Sequence, residues 1–166
     1  MRRNDIPRRS ASDADRLVFD KKPLSYNKKS KLNKKEELLR CVALMLYWAE
    51  GAKTSKWNVD FTNSNSQMAL IFLTALRKIY RVNESRLRIL LYCYPNQNVN
   101  LLLTHWSILL SIPKAQFTKP YIRKKFDPQK KNKMPNGLIH IRYHDKKLFM
   151  QIKAEIDIIA NNLLTS

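Results

Sequence analysis

The stretch Val42-Ala-Leu-Met-Leu-Tyr-Trp-Ala-Glu50-Gly51 decides how the rest of the chain is interpreted. It ends a helix predicted over residues 33–49. From Cys41 to Ala49 this helix is apolar on every side, which predicts burial all round. Glu50 follows at the C-terminal end, where the helix dipole disfavours a negative charge. It is either an exposed acid at a fraying end, with Gly51 as the helix stop, or a half-buried carboxylate that needs a cation or a metal.

Outward from this helix, hydrophobic spacing predicts an alternation of helices and strands. The predicted strands are residues 57–62, 86–94, 116–123 and 138–143, and the further helices are 64–80, 99–110 and 146–164. The order α-β-α-β-α-β-β-α predicts an α+β domain over residues 34–166. Its sheet is expected to be small and mostly antiparallel, with the helices packed on one face. Residues 1–33 show little periodicity and are expected to form a basic, largely disordered arm.

Charge is the strongest compositional feature. The chain has 166 residues, and its 32 Lys and Arg against 13 Asp and Glu give a formal net charge of +19. Self-repulsion on this scale favours a polyanionic partner, and we expect double-stranded DNA, although charge alone does not separate DNA from RNA. A membrane partner is not expected, because the apolar run from Cys41 to Ala49 is far shorter than the roughly 20 residues of a spanning helix.

Other classes of protein are disfavoured by what the sequence contains. With two glycines and three histidines, the chain offers no glycine-rich nucleotide cradle and no zinc-binding pattern. Cys41 and Cys93 both lie in apolar runs, which indicates reduced thiols rather than a disulfide framework. No apolar stretch follows the N-terminal arginine pair, so no signal peptide is expected. The predicted location is the cytoplasm, in association with the nucleoid.

Two predicted strands carry candidate nucleic-acid contacts. With period two, Arg86 and Arg88 share a face with Tyr92, while the alternate residues form an apolar face that is expected to be core. Guanidinium and phenol groups suit a sheet laid against a DNA groove. His140 and Arg142 repeat the pattern on the last strand. The alternative is an ordinary solvated strand face.

Further basic residues are candidates because of their positions. The loop over residues 124–136 and the segment before it would contact phosphates if they lie beside such a sheet, although charge runs are often merely solvated. The candidates there are Lys119, Arg123, Lys124 and Lys125. Lys53 and Lys56 follow Glu50 closely, and a lysine beside a reacting phosphate could stabilise developing charge.

The helix end Leu46-Tyr47-Trp48-Ala49-Glu50-Gly51-Ala52-Lys53, followed by an alternating strand, resembles the LAGLIDADG homing-endonuclease family. It is most similar to single-motif bacterial and phage members, whose helix ends like LYWxEGxK. Later landmarks are also similar, and the resemblance covers roughly residues 38–162. These landmarks are Asn63-Ser64 at the second helix, Trp106 late in the third, Gln116-Phe117-Thr118-Lys119-Pro120 before the basic loop, and Gly137 at the last strand.

This resemblance implies a fold, a partner and a mechanism. In the family, two such helices pack side by side across a two-fold axis, and their terminal acids bind divalent metal beside the scissile phosphates. The implied catalytic and metal-binding residue is Glu50, with Mg²⁺ or Mn²⁺ bound when DNA is present. A chain with one motif would build this site as a homodimer through the helix from Cys41 to Ala49, and the implied activity is site-specific cleavage of DNA.

Two other functions stay open. A protein with this fold could bind DNA and regulate transcription without cutting, and metal binding at Glu50 separates that function from the endonuclease. An RNA-binding maturase is the third possibility. Competition between duplex DNA and structured RNA at matched salt separates it from the other two.

Overall fold

The computed structural model describes residues 18–53, 58–124 and 134–165. After a helical turn at residues 18–21, the elements follow in the predicted order, which confirms the α+β class. They are α1 (Lys34–Glu50), β1 (Val59–Asn63), α2 (Ser66–Lys78), β2 (Leu87–Cys93), α3 (Val99–Leu110), β3 (Tyr121–Ile122), β4 (Leu138–Tyr143) and α4 (Lys146–Leu164). Short 3₁₀ turns, Glu84–Arg86 and Lys114–Gln116, precede β2 and β3.

The four strands form one small sheet in the order β1-β4-β2-β3. β4 pairs antiparallel with both β1 and β2, while the short β3 pairs parallel to β2. The sheet is therefore mostly antiparallel, as predicted. Gly137 precedes β4 and has a φ of +69°, a backbone conformation that favours glycine. A Cβ at this position would also lie only 2.7 Å from the Tyr92 carbonyl oxygen, so there is no space for a side chain.

One face of the sheet is the floor of the hydrophobic core. Alternate residues of each long strand, such as Phe61, Ile89 and Ile141, are fully buried there beneath the apolar sides of the helices. Trp106 of α3 is also buried, and its Nε1 donates to the Asn136 carbonyl at 2.6 Å. Among the residues that the structure describes, no helix is long and apolar enough to cross a membrane.

Local side-chain bonds set several boundaries. Asn33 caps α1 in a capping box with Glu36, which starts the helix where the sequence predicts. Asn65 accepts from the backbone of Gln67 and Met68, so α2 starts two residues later than predicted. The carboxylate of Asp145 caps α4 by accepting from the Leu148 backbone N–H at 3.0 Å.

The prediction that α1 is buried on all sides is wrong for the single chain. Ala43, Leu44 and Tyr47 are buried in the core. On the opposite side an apolar stripe stays exposed, with Leu38 at 65% and Trp48 at 47% of full exposure. We call this the α1 stripe, and its members are the exposed Leu38, Val42, Trp48 and Ala49 together with Met45, which is half-buried against the core. Helical spacing explains the split, because one helix packed on one core can bury only one side.

The segment immediately before α1 is docked onto the fold. Its backbone bonds to the end of α2 and the loop that follows, through Asn27 and Lys29 to residues 79–80. The Ser25 hydroxyl bonds to the Asp145 carboxylate, and the Tyr143 hydroxyl donates to the Ser25 carbonyl. The predicted disorder of the arm therefore does not hold for residues 18–33, which pack on β4 and α4. Residues 1–17 lie outside the described residues.

A buried carboxylate fastens this segment to the helices. Glu155 of α4 is 4% exposed, and its oxygens lie 2.7 Å from Lys28 Nζ and 2.8 Å from Arg40 Nη1. Gln151 Nε2 donates at 2.8 Å and the Tyr80 hydroxyl at 3.3 Å. Burial raises the pKa of Glu155, but the bonds from Lys28, Gln151 and Arg40 outweigh it and hold the pKa below its ordinary value.

We expect Glu155→Gln to destabilise the protein at neutral pH, at the lower end of about 3–5 kcal/mol, because Lys28 and Arg40 would lose a buried partner. A carboxylate with a lowered pKa stabilises the fold fully above its ordinary value of 4.5 and loses that contribution as pH falls through the lowered pKa. Urea unfolding at pH 7 and pH 3 should therefore show a difference between wild type and variant that shrinks in acid. Equal stability at pH 7 would contradict the assignment.

Candidate nucleic-acid interface

The face of the sheet opposite the core carries polar and aromatic side chains, and we call it the outer face. None of its side chains belongs to the hydrophobic core shared with the helices. The register places Asp60, Arg142 and Arg88 in one row across β1, β4 and β2, with Thr62, His140 and Leu90 in the next row. Tyr92 and Tyr121 pair at the far end, beside Leu138.

An ion cluster lies at the β1–β4 pair. Asp60 Oδ1 lies 2.9 Å from His140 Nδ1, and Arg142 Nε donates to Asp60 Oδ2 at 2.8 Å. Thr62 Oγ1 also lies 2.9 Å from His140 Nδ1. Burial raises the pKa of Asp60, but the bonds and charges of His140 and Arg142 together hold that pKa below its ordinary value. The structure thus brings together the two predicted residues of β4 and adds an acid between them.

Aromatic rings continue the outer face toward β3. The Tyr92 ring lies 4.7 Å, centroid to centroid, from both His140 and Tyr121, with tilted planes. Tyr121 is 48% exposed. The predicted mixture of guanidinium and phenol groups is therefore present on this face, with Arg88 and Tyr92 as its members from β2.

Arg86 does not belong to that face. The sequence placed it on β2, but β2 begins at Leu87 and Arg86 ends the preceding 3₁₀ turn. Its guanidinium donates to the His144 carbonyl and lies 5.5 Å from the centroid of the Tyr143 ring. The turn forms because the Asn83 side chain accepts from the Ser85 backbone N–H. Arg88 stays on the outer face, with Nη1 donating to the carbonyls of Ser85 and Leu87 at 2.7 Å.

Cations line the edge of the sheet that β3 forms among the described strands. Thr118 N donates to the Ile89 carbonyl and Arg123 N to the Cys93 carbonyl, so the segment runs alongside β2 at both ends of β3. Lys119, Arg123 and Lys124 are all exposed on this segment. We call these three residues the β3-edge cations. Lys125, the fourth predicted residue here, lies outside the described residues.

The C-terminal end of α1 is exposed to solvent, but backbone hydrogen bonds fix its position. Gly51 N donates to the Tyr47 carbonyl at 2.8 Å, and Ala52 N donates to the Asp60 carbonyl at 2.8 Å. A Cβ on Gly51 would lie 2.5 Å from the Tyr47 carbonyl oxygen, so this position demands glycine for space, although its φ is −79°. Glu50 is exposed, as one of the two interpretations of the sequence expected. The backbone that follows it is hydrogen-bonded to β1 through Ala52 and Asp60. Lys53 is also exposed, and Lys56 lies outside the described residues.

The metal ligand that the sequence predicts at this end is the carboxylate of Glu50, which is exposed. Glu50 supplies hard carboxylate oxygens, the ligand type that Mg²⁺ prefers, and its exposure leaves room for phosphate and water oxygens. Within residues 18–53, 58–124 and 134–165, no group of three or more His, Cys, Asp or Glu residues is arranged to hold a metal ion.

No model of a known protein family, no curated protein and no solved structure matches the chain. Asp60 is the member of this interface that the sequence did not reveal. It lies between Val59 and Phe61 on the same strand, so its side chain points to the other face, where an ordinary solvent-facing acid is expected. The available signal was weak: an acid and two basic residues, His140 and Arg142, all at outward positions of predicted strands.

Proposed function

We propose that this protein binds double-stranded DNA through the outer face and the β3-edge cations, and cleaves it as a metal-dependent, site-specific endonuclease. It acts as a homodimer joined through the α1 stripe. One observation carries the proposal. The apolar face of the sheet is buried in the core, while arginine, histidine and tyrosine side chains lie together on the outer face.

The charges on the outer face fit a polyanion. Among its described side chains Asp60 is the acid, and both of its oxygens are bonded to His140 and Arg142. Arg88 and Arg142 are direct cross-strand neighbours, which is unfavourable for two like charges without a nearby anion. Asp60 offsets part of that repulsion, and DNA phosphates would offset more. Arginine also suits the contact itself, because its planar fork matches phosphate oxygens and guanine edges.

The α1 stripe supports the dimer. Leu38, Val42, Met45 and Ala49 follow one another at spacings of four, three and four residues, which is the seam of a helix that packs against another helix. A two-fold axis along this seam would bring two copies of the same stripe together. It would also place the two Glu50 residues, one from each copy, at the same end of the interface.

The roles of the residues at that end follow from their chemistry. Mg²⁺ or Mn²⁺, when bound, would polarise the scissile phosphate and make a bound water more nucleophilic. Glu50 would hold the ion, and the bonds of Gly51 and Ala52 to neighbouring backbone would keep it in place. Lys53, exposed three residues later, could stabilise the charge that develops on the phosphate. The outer face would hold the duplex in register.

The DNA-binding part of the proposal is tested by removing one cation at a time. Arg88→Ala and Arg142→Ala should each weaken duplex binding by about 1–3 kcal/mol if they read bases, or lower the salt slope by about one unit if they contact phosphate. Lys78→Ala is the matched control, because Lys78 is exposed on α2 and its removal changes the net charge equally. Binding is measured by fluorescence anisotropy at several salt concentrations.

If Lys78→Ala weakens binding as much as the two outer-face variants, only net charge matters and the assigned interface is wrong. Structured RNA added at matched salt provides a second comparison. RNA that competes better than any duplex would favour the maturase function over the endonuclease.

A further inference from the structure

We propose that Asp60 is a positioning residue, which holds Arg142 so that its guanidinium reads a guanine in the major groove. This inference rests on the proposed DNA-binding function and adds a specificity determinant to it. It begins from an apparent contradiction: a carboxylate lies in the middle of the face that is proposed to meet phosphates.

The contacts of Asp60 resolve this contradiction. The residue is 9% exposed, and its two oxygens are each bonded to a different basic side chain of β4. Its charge therefore acts within the protein and is not presented to DNA. Because the bond to His140 fixes one oxygen and the rigid β1–β4 register fixes the backbone, the second oxygen has a defined position for Arg142.

The geometry of Arg142 then determines what it can bind. Asp60 accepts from Nε, and no hydrogen bond from Nη1 or Nη2 to another described residue is present, so that edge can meet a partner outside the protein. The side chain remains 27% exposed. Guanine presents O6 and N7 as two adjacent acceptors in the major groove, and a two-pronged donor edge matches them. Holding an arginine in advance reduces the side-chain entropy lost on binding, which is large for this residue.

The neighbouring arginine provides an internal comparison. Arg88 lies directly opposite Arg142 in the β2–β4 ladder, but its Nη1 is bonded to two backbone carbonyls of its own turn. Among the described residues, Arg88 thus has no carboxylate partner, and one of its terminal nitrogens is occupied. Within the same residues, Arg142 presents a two-nitrogen edge without a hydrogen bond, whereas Arg88 fits a phosphate contact better.

The experiment is selection of binding sites from a pool of random duplexes, followed by measured affinities for the selected site and its single-base variants. The full chain is used as wild type, Asp60→Asn, Arg142→Lys and the double variant. Wild type should prefer one guanine per half-site, by roughly 5- to 150-fold over other bases. Asp60→Asn and Arg142→Lys should each lose that preference, and the double variant should be no worse than either, because Asp60 acts through Arg142.

Asp157→Asn is the matched control, since Asp157 is an exposed acid of α4 and its change alters net charge equally. Asp60→Asn and Asp157→Asn should affect binding to nonspecific duplex alike, while only the first loses the guanine preference. An Asp60→Asn protein that melts like wild type and keeps the preference overturns the inference while leaving DNA binding intact. If Asp60→Asn does not fold, an unchanged preference in Arg142→Lys overturns it. A wild-type chain that binds no duplex overturns the proposed function, and this inference with it.

Discussion

Glu50→Gln should abolish cleavage, lowering the rate by orders of magnitude, while binding to duplex DNA persists or becomes tighter. Glutamine keeps the shape of the side chain but removes the charge that would hold Mg²⁺ or Mn²⁺. Binding should not suffer, because one anion near the phosphates disappears. The melting temperature should stay level or rise slightly, since Glu50 is exposed at a helix C-terminus, where a negative charge is unfavourable.

The measurement uses plasmids that carry the selected binding site or the DNA flanking the gene, incubated with either metal ion. The control is Asp20→Asn, which removes one exposed acid of the segment before α1. If wild type and Glu50→Gln cut equally well, Glu50 is not the catalytic acid. If both bind but neither cuts any supplied DNA, the protein is better described as a non-catalytic DNA-binding or regulatory protein.

Val42→Glu should convert the protein from a dimer into a monomer and remove cleavage with it. Val42 lies in the α1 stripe, so in a two-fold dimer each introduced carboxylate would face the partner's stripe. Burying unpaired charges there costs several kcal/mol, on the order of the penalty for broken buried ion pairs. Folding of the single chain should survive, because Val42 is exposed in it and glutamate is a good helix former.

Light scattering with and without DNA reports the outcome. Wild type should show about twice the chain mass of 19.6 kDa, at least when DNA is present. The control is Ile108→Glu on α3, which makes the same chemical change at a position that is 74% exposed and outside the α1 stripe. A Val42→Glu protein that stays dimeric would exclude the α1 stripe as the interface. A strictly monomeric wild type that still cuts DNA would exclude the dimer altogether.

Much of the fold could be predicted from local signals. The bounds of α3, β4 and α4 agree with the sequence-based ranges, because their hydrophobic periods are bounded by strong capping or turn residues such as Asn98, Pro113 and Asp145. The error at Arg86 has a local cause too. Period two was extended one residue too far, into a turn that Asn83 caps.

Long-range contacts limited the prediction of the site. The side chain of Asp60 resembles any outward-facing acid until β4, 80 residues later, pairs in the register that supplies His140. The docking of residues 18–33 was missed for the same reason: Ser25 bonds to a residue 120 positions away, and the segment has no periodicity of its own. The exposed side of α1 has a geometric cause. A helix that is apolar on every side needs packing surfaces on two sides, and a single chain supplies one core.

One of the two inner strands of the sheet, β4, is the last of the described strands that the ribosome makes. β1 pairs with β4, and at roughly 5–20 residues per second the 80 residues from Asp60 to His140 take about 4–16 s to add. During this time β1 lacks the hydrogen bonds of its β4 partner. Arg142 and His140 have not yet been added to the chain, so the outer face is incomplete. A nascent chain that lacks β4 cannot bind DNA in the proposed way. A premature stop anywhere before residue 138 would release a polypeptide without this inner strand and without His140 and Arg142, the β4 residues of the outer face.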